Sequence, residues 1–130
     1  MESIEANKLI VKLQKEIIKN GIVKEKLVKG LQELRPYALA EEDPTLTKVI
    51  RLTYEHIDAT GTFNIPIPAD EVVMEGEEES EEVEVVNEMD MEDFENKKTS
   101  LDYLLSLMLD ARNPNNRQDL MEYRDLLKNY

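Results

Sequence analysis

The sequence predicts an all-α domain of about five helices in a small bundle-like arrangement, with an extended Pro-containing stretch and an acidic excursion between the third and fourth helices. Three observations predict it. Outside residues 59–96, apolar residues recur three and four apart, without the strict alternation of a half-buried strand. The dipeptides Asn20-Gly21, Asp43-Pro44 and Asn113-Pro114 fall where helices would stop or start. Between them, Pro66 and Pro68 would each remove a ladder donor, which forbids a central strand. No internal repeat of about 20–50 residues is visible, which argues against a solenoid.

The first helix is expected over residues 3–20. At about 100° per residue, Ala6, Leu9, Ile10, Leu13 and Ile17 fall within one arc of roughly 100° and make an amphipathic face. Ile4, Val11 and Ile18 form a second, smaller apolar arc, expected to touch a second neighbour or a partner chain. Lys8, Lys12, Lys15 and Lys19 fall within about 60° on a third face, a basic stripe. Gly21 then supplies the left-handed conformation that ends many helices.

The second helix is expected over residues 23–34, with Val23, Leu27, Val28, Leu31 and Leu34 on one face and a short-loop hairpin to the first. It should stop before Pro36, because the residue preceding a proline avoids the helical region. Gly30, at the edge of that face, would permit close helix approach; the alternative is a tolerated defect costing about 1 kcal/mol.

Asp43 as N-cap and Pro44 at the first helical position start a third helix, expected over residues 44–58 with Leu46, Val49, Ile50, Thr53, Tyr54 and Ile57 inward. Gly61 ends it. Extended or polyproline-like chain follows, with Phe63 and Ile65 laid over the core. Thr99 and Asp102 approximate a capping box for the fourth helix, whose run from Tyr103 to Leu109 is apolar on most sides and therefore central. Asn113-Pro114 breaks it, and Asn116 with Asp119 starts the last helix, carrying Leu120, Met121, Tyr123 and Leu127. The expectation is a single domain, residues 1–130, with a helical part over 1–58, an extended and acidic segment over 59–96, and a helical hairpin over 97–130.

Composition narrows the chemistry. The chain has no cysteine, which excludes a disulfide scaffold, a thiolate zinc site and a thiol nucleophile. Its N-terminus lacks the apolar stretch and cleavage site of a secretory signal, and no apolar run approaches the roughly 20 residues that span a bilayer. The expectation is a soluble, cytoplasmic protein that does not engage membranes. One His, four Ser and no glycine-rich phosphate loop give little material for catalysis. His56, at the flank of the third helix's buried face, reads as a structural residue rather than a base. Asp90, Glu92 and Asp93 lack the turn glycine of a calcium loop. No catalytic, cofactor-binding or metal-ligating residue is expected.

Charge is the most informative property. Residues 1–36 carry 8 Lys/Arg against 5 Asp/Glu, whereas residues 70–96 carry none against 14. Nearly all of the formal net charge of −13 therefore lies in one short segment. A solvating linker is the simplest reading, but it gives no reason for Val83, Val85, Val86, Met89, Met91 and Phe94 to be interleaved with the acids. A second reading docks the segment on its own chain or on a sister copy, with the lysine stripe as receptor. A third is strand addition to the sheet edge of a partner. Val83-Glu84-Val85-Val86 preceded by GEEESEE resembles the SUMO-interacting motif, which pairs such an apolar core with flanking acids and often a serine, here Ser80. A fourth is nucleic-acid mimicry, in which arrayed carboxylates occupy the basic groove of a nucleic-acid enzyme. Direct nucleic-acid binding is not expected, since the lysine stripe contains no stacking aromatics.

These observations lead to a noncatalytic protein–protein interaction or structural subunit of a larger assembly, bacterial or viral, that binds a protein partner or another copy of itself. The candidate partner-binding residues are Ile4, Val11 and Ile18 on the first helix and Val83, Val85, Val86, Met89, Met91 and Phe94 in the acidic segment. The alternative from another class is an acidic inhibitor of a nucleic-acid enzyme.

Overall fold

The computed structural model describes residues 1–68 and 90–130. Among them are five helices and no strand: α1 (Ile4–Asn20), α2 (Lys24–Ala40), α3 (Pro44–Thr60), α4 (Phe94–Leu109) and α5 (Pro114–Lys128). The all-α expectation is met. None of these helices is long and apolar enough to cross a membrane. The acidic stretch 69–89 lies outside the described residues, and with it the excursion expected between α3 and α4.

Helix ends follow local capping chemistry. The hydroxyl of Ser3 accepts the Ala6 N–H, Asp43 accepts the Leu46 N–H, and Asn113 accepts those of Asn115 and Asn116. Gly21 and Gly61 end α1 and α3 with φ of 77° and 76°. The end of α2 is different. Its Asp43 N–H bonds the Ala38 carbonyl and its Glu42 N–H the Leu39 carbonyl, the paired bonds of a Schellman turn, with Glu42 at φ 58° where glycine is usual.

Three expected boundaries are corrected. α2 does not stop at Leu34 but runs through Pro36 to Ala40. Pro36 is solvent-exposed, so the carbonyl it leaves unpaired can be hydrated, while Leu34 and Ala38 on the opposite side are buried and hold the helix on α3. α4 begins at Phe94 rather than near Thr99, because Asp93 caps it through the Glu95 N–H at 2.9 Å. The helical C-terminal part accordingly starts before residue 97. α5 begins at Pro114 rather than Asn116, since Asn113 is its cap and Pro114 occupies the first turn, where a missing N–H costs nothing.

The helices pack as a closed ring. α1 lies against α2 and α4, α2 against α3, α3 against α5, and α5 against α4. Inside the ring are Ile10 and Ile17 of α1, Leu27, Leu31 and Leu34 of α2, Leu46, Ile50 and Ile57 of α3, Leu101 and Leu104 of α4, and Tyr123 of α5. The chain after α3 is extended and buries Phe63 and Ile65, as expected. The Ser100 hydroxyl ties it to α4 by donating to the Ile65 carbonyl at 2.6 Å, and the buried Tyr123 hydroxyl donates to the Ser100 carbonyl at 3.1 Å. Burial pushes the Tyr123 phenol far above its ordinary range, which keeps it a neutral donor.

Candidate functional site

α1 owes its orientation to its buried face. Ala6, Ile10, Leu13 and Ile17 are sealed in the core, so the side of the helix opposite them must face outward. Two polar contacts fix its rotation. Glu41, at the end of α2, accepts the Glu2 and Ser3 N–H groups at 3.0 and 3.4 Å. Gln14 donates to the Asp102 carbonyl and the Ser106 hydroxyl of α4 at 3.3 and 2.8 Å.

On the outward side, Ile4 is 68%, Val11 37% and Ile18 73% exposed; Leu39 and Leu126 are exposed elsewhere, but on different helices and not in one line. Their spacing of seven keeps them in a line, and a rise of 1.5 Å per residue makes that line about 21 Å long. Lys8, Lys12, Lys15 and Lys19 are exposed beside them, and among the described residues no carboxylate lies within ion-pair range of any of the four. Ile4, Asn7, Lys8, Val11, Lys12 and Lys15 line one common surface. The apolar arc and the basic stripe are thus one composite face, not two separate ones. The signal was available: on a helical wheel Lys15 and Lys8 follow Ile4 within about 40°.

The far end of this face meets α4. Ile18 shares a groove with Glu95, Lys98, Thr99 and Asp102. Phe94, 53% exposed, lies over Gly21, where an added Cβ would sit only 3.1 Å from its ring. The Lys98 ammonium stands 5.4 Å from the centre of that ring and pairs with Glu95 at 3.1 Å. Of the acidic-segment candidates, the structure therefore brings Phe94 to the end of α1 and leaves Met91 half-buried nearby in the chain; Val83, Val85, Val86 and Met89 lie outside the described residues.

A polar cluster sits at the end of α3, and three of its members had no sequence signal. His56 is 7% exposed and its Nε2 accepts the Asn64 N–H at 3.0 Å. Asn64 in turn accepts from the Lys97 ammonium at 2.6 Å and donates to the Tyr130 hydroxyl at 2.9 Å. The imidazole packs edge-on against Phe63 and Tyr130. Burial first, and Lys97 second, hold its pKa below the ordinary histidine value. The acceptor nitrogen of the ring is thus committed to a backbone N–H, which ties the extended chain after α3 to that helix. Among the described residues no three His, Cys, Asp or Glu side chains converge as a metal-binding group.

No family model, curated protein or solved structure matches this chain.

Proposed function

We propose that this chain is a noncatalytic interaction protein whose outward α1 face receives a protein segment in which carboxylates alternate with aliphatic side chains. The observation that carries this reading is the exposure of Ile4, Val11 and Ile18 in one line beside four lysines that have no carboxylate among the described residues. A face that serves only to meet water has no use for three aliphatic side chains in register. Covering them contributes roughly 3–5 kcal/mol before ordering costs. Exposed lysine–carboxylate pairs add only about 0–1 kcal/mol each, so they select and steer the partner more than they hold it. The supply of catalytic groups supports a noncatalytic role: there is one histidine, which is buried and engaged, and no cysteine.

The test is a titration followed by amide NMR, with a synthetic peptide of residues 75–91 as the probe. The receptor is the full chain carrying Val83→Ser, Val85→Ser and Val86→Ser, so that its own copy of that segment lacks the aliphatic side chains. Saturable shifts confined to α1 are expected, and they should vanish when Ile4, Val11 and Ile18 are also changed to Ser. Absence of shifts, or shifts indifferent to the three α1 substitutions, overturns the reading.

A further inference from the structure

We propose that the occupant of this face is the chain's own acidic segment, docked in cis along α1, so that an outside partner must displace it. The inference rests on the reading of α1 as a docking face and names what covers that face in the isolated protein. Three observations converge on this occupant.

The first is charge. Residues 70–96 hold 14 carboxylates and no Lys or Arg, and the α1 face holds Lys8, Lys12, Lys15 and Lys19 without carboxylate partners among the described residues. A second copy of α1 would instead bring four more lysines against the first four, which repel; the surface asks for acids, and the same chain carries them.

The second is pattern and length. Val83, Val85, Val86 and Met89 are interleaved with those acids. In extended form residues 83–89 cover about 20 Å, which matches the line of about 21 Å from Ile4 to Ile18. The aliphatic side chains can meet along its whole length.

The third is where the described chain resumes. Phe94 lies over Gly21, immediately beyond the last turn of α1, so the chain enters α4 beside the end of the face. The 21 residues from 69 to 89 reach at most about 70 Å, against about 25 Å for α1. They can run along the helix and return to Pro68. A tether this short confers an effective concentration in the millimolar range, enough for contacts that are weak singly to be occupied in cis.

The experiment is zero-length carbodiimide cross-linking of the full-length chain at high dilution, with linked peptides mapped separately in the monomer and dimer bands. Links from Lys8, Lys12, Lys15 or Lys19 to carboxylates of residues 77–88 are expected in the monomer, well above links from Lys48 on α3 and Lys128 on α5. Val83→Ser, Val85→Ser and Val86→Ser together should lower them at least about tenfold while leaving helical circular dichroism unchanged. Links found only in the dimer band overturn the proposal in favour of a second copy. Links no more frequent than those of Lys48 and Lys128 overturn it in favour of an outside partner alone. In that last case peptide-induced shifts on α1 leave the docking reading standing while this inference falls, and their absence removes both.

Discussion

Asp43 and Arg117, 74 positions apart, join the start of α3 to α5 by a two-pronged ion pair, Nη1 to Oδ2 at 2.9 Å and Nη2 to Oδ1 at 2.5 Å. The same carboxylate caps α3 by accepting the Leu46 N–H at 3.1 Å. One side chain thus starts a helix and ties it across the ring. Asp43→Ala removes both roles and should cost about 1–3 kcal/mol in urea unfolding, whereas Asp43→Asn keeps a good cap and should cost less. Burial raises the Asp43 pKa, but the hydrogen bonds from Arg117 and Leu46 outweigh it, and the net pKa lies below the ordinary 3.8. A depressed carboxylate pKa gives stability that is present above 3.8 and lost as pH falls through the folded value. The acid limb of the stability curve should therefore flatten in Asp43→Asn.

His56 predicts a second, milder pH effect. Its pKa is held below 6.5, chiefly by burial, and its acceptor nitrogen holds the Asn64 N–H. The neutral form is the folded form. Stability from this group is fully present above 6.5 and declines as pH falls below it, because the unfolded chain takes up the proton first. His56→Gln offers an acceptor that does not titrate. Urea midpoints measured through this range should fall for the parent and stay level for the variant.

Gly30 sets helix propensity against packing. Alanine is favoured over glycine in a helix by about 1 kcal/mol, yet a Cβ here would lie 2.4 Å from Leu13 Cδ2 and within 3.3 Å of two further Leu13 carbons. Leu13 is itself buried, so moving it aside disturbs the packing between α1 and α2. Gly30→Ala should therefore destabilise by about 1 kcal/mol, and a cycle with Leu13→Ala should show the two changes partly compensating.

Glu42 carries the opposite expectation. At φ 58° it occupies a left-handed position that glycine adopts freely. Glu42→Gly should raise stability by about 0.5–1 kcal/mol, read as a shift of the denaturation midpoint without change of slope. Glu42→Val should lower it, since a β-branched side chain fits that conformation poorly.

What is legible in the sequence is local. Gly21, Asp43-Pro44 and Gly61 act through bonds to residues a turn away, and the end of α1 and both ends of α3 follow from them; Asn113-Pro114 reads as the break after α4, while its second role as the start of α5 shows only in the fold. Pro36 misled because its local penalty is real but is overridden by packing of Leu34 and Ala38, which no short-range rule contains. The start of α4 was obscured because Asp93 is one acid in a run of acids, and only the fold shows which of them caps. On α1, the line of Ile4, Val11 and Ile18 is legible because it lies away from the core arc; its union with the lysines shows only when both residue types are placed on one helical surface. The His56, Asn64, Lys97 and Tyr130 cluster gathers from three separate segments and has no spacing to read.

The closed ring has a bearing on how the protein is made. As the chain leaves the ribosome, α1, α2 and α3 emerge before α4 and α5 and can pair in order, but α1 lacks its second neighbour until α4 arrives and α3 lacks its own until α5 does. Through all of that interval the nascent chain is an open arc with two apolar flanks bare, and the whole acidic stretch is synthesised in between. The 15 residues of α5, made after those of α4, convert the arc into a circle. Truncation within them would leave an unclosed and sticky intermediate rather than a smaller folded protein.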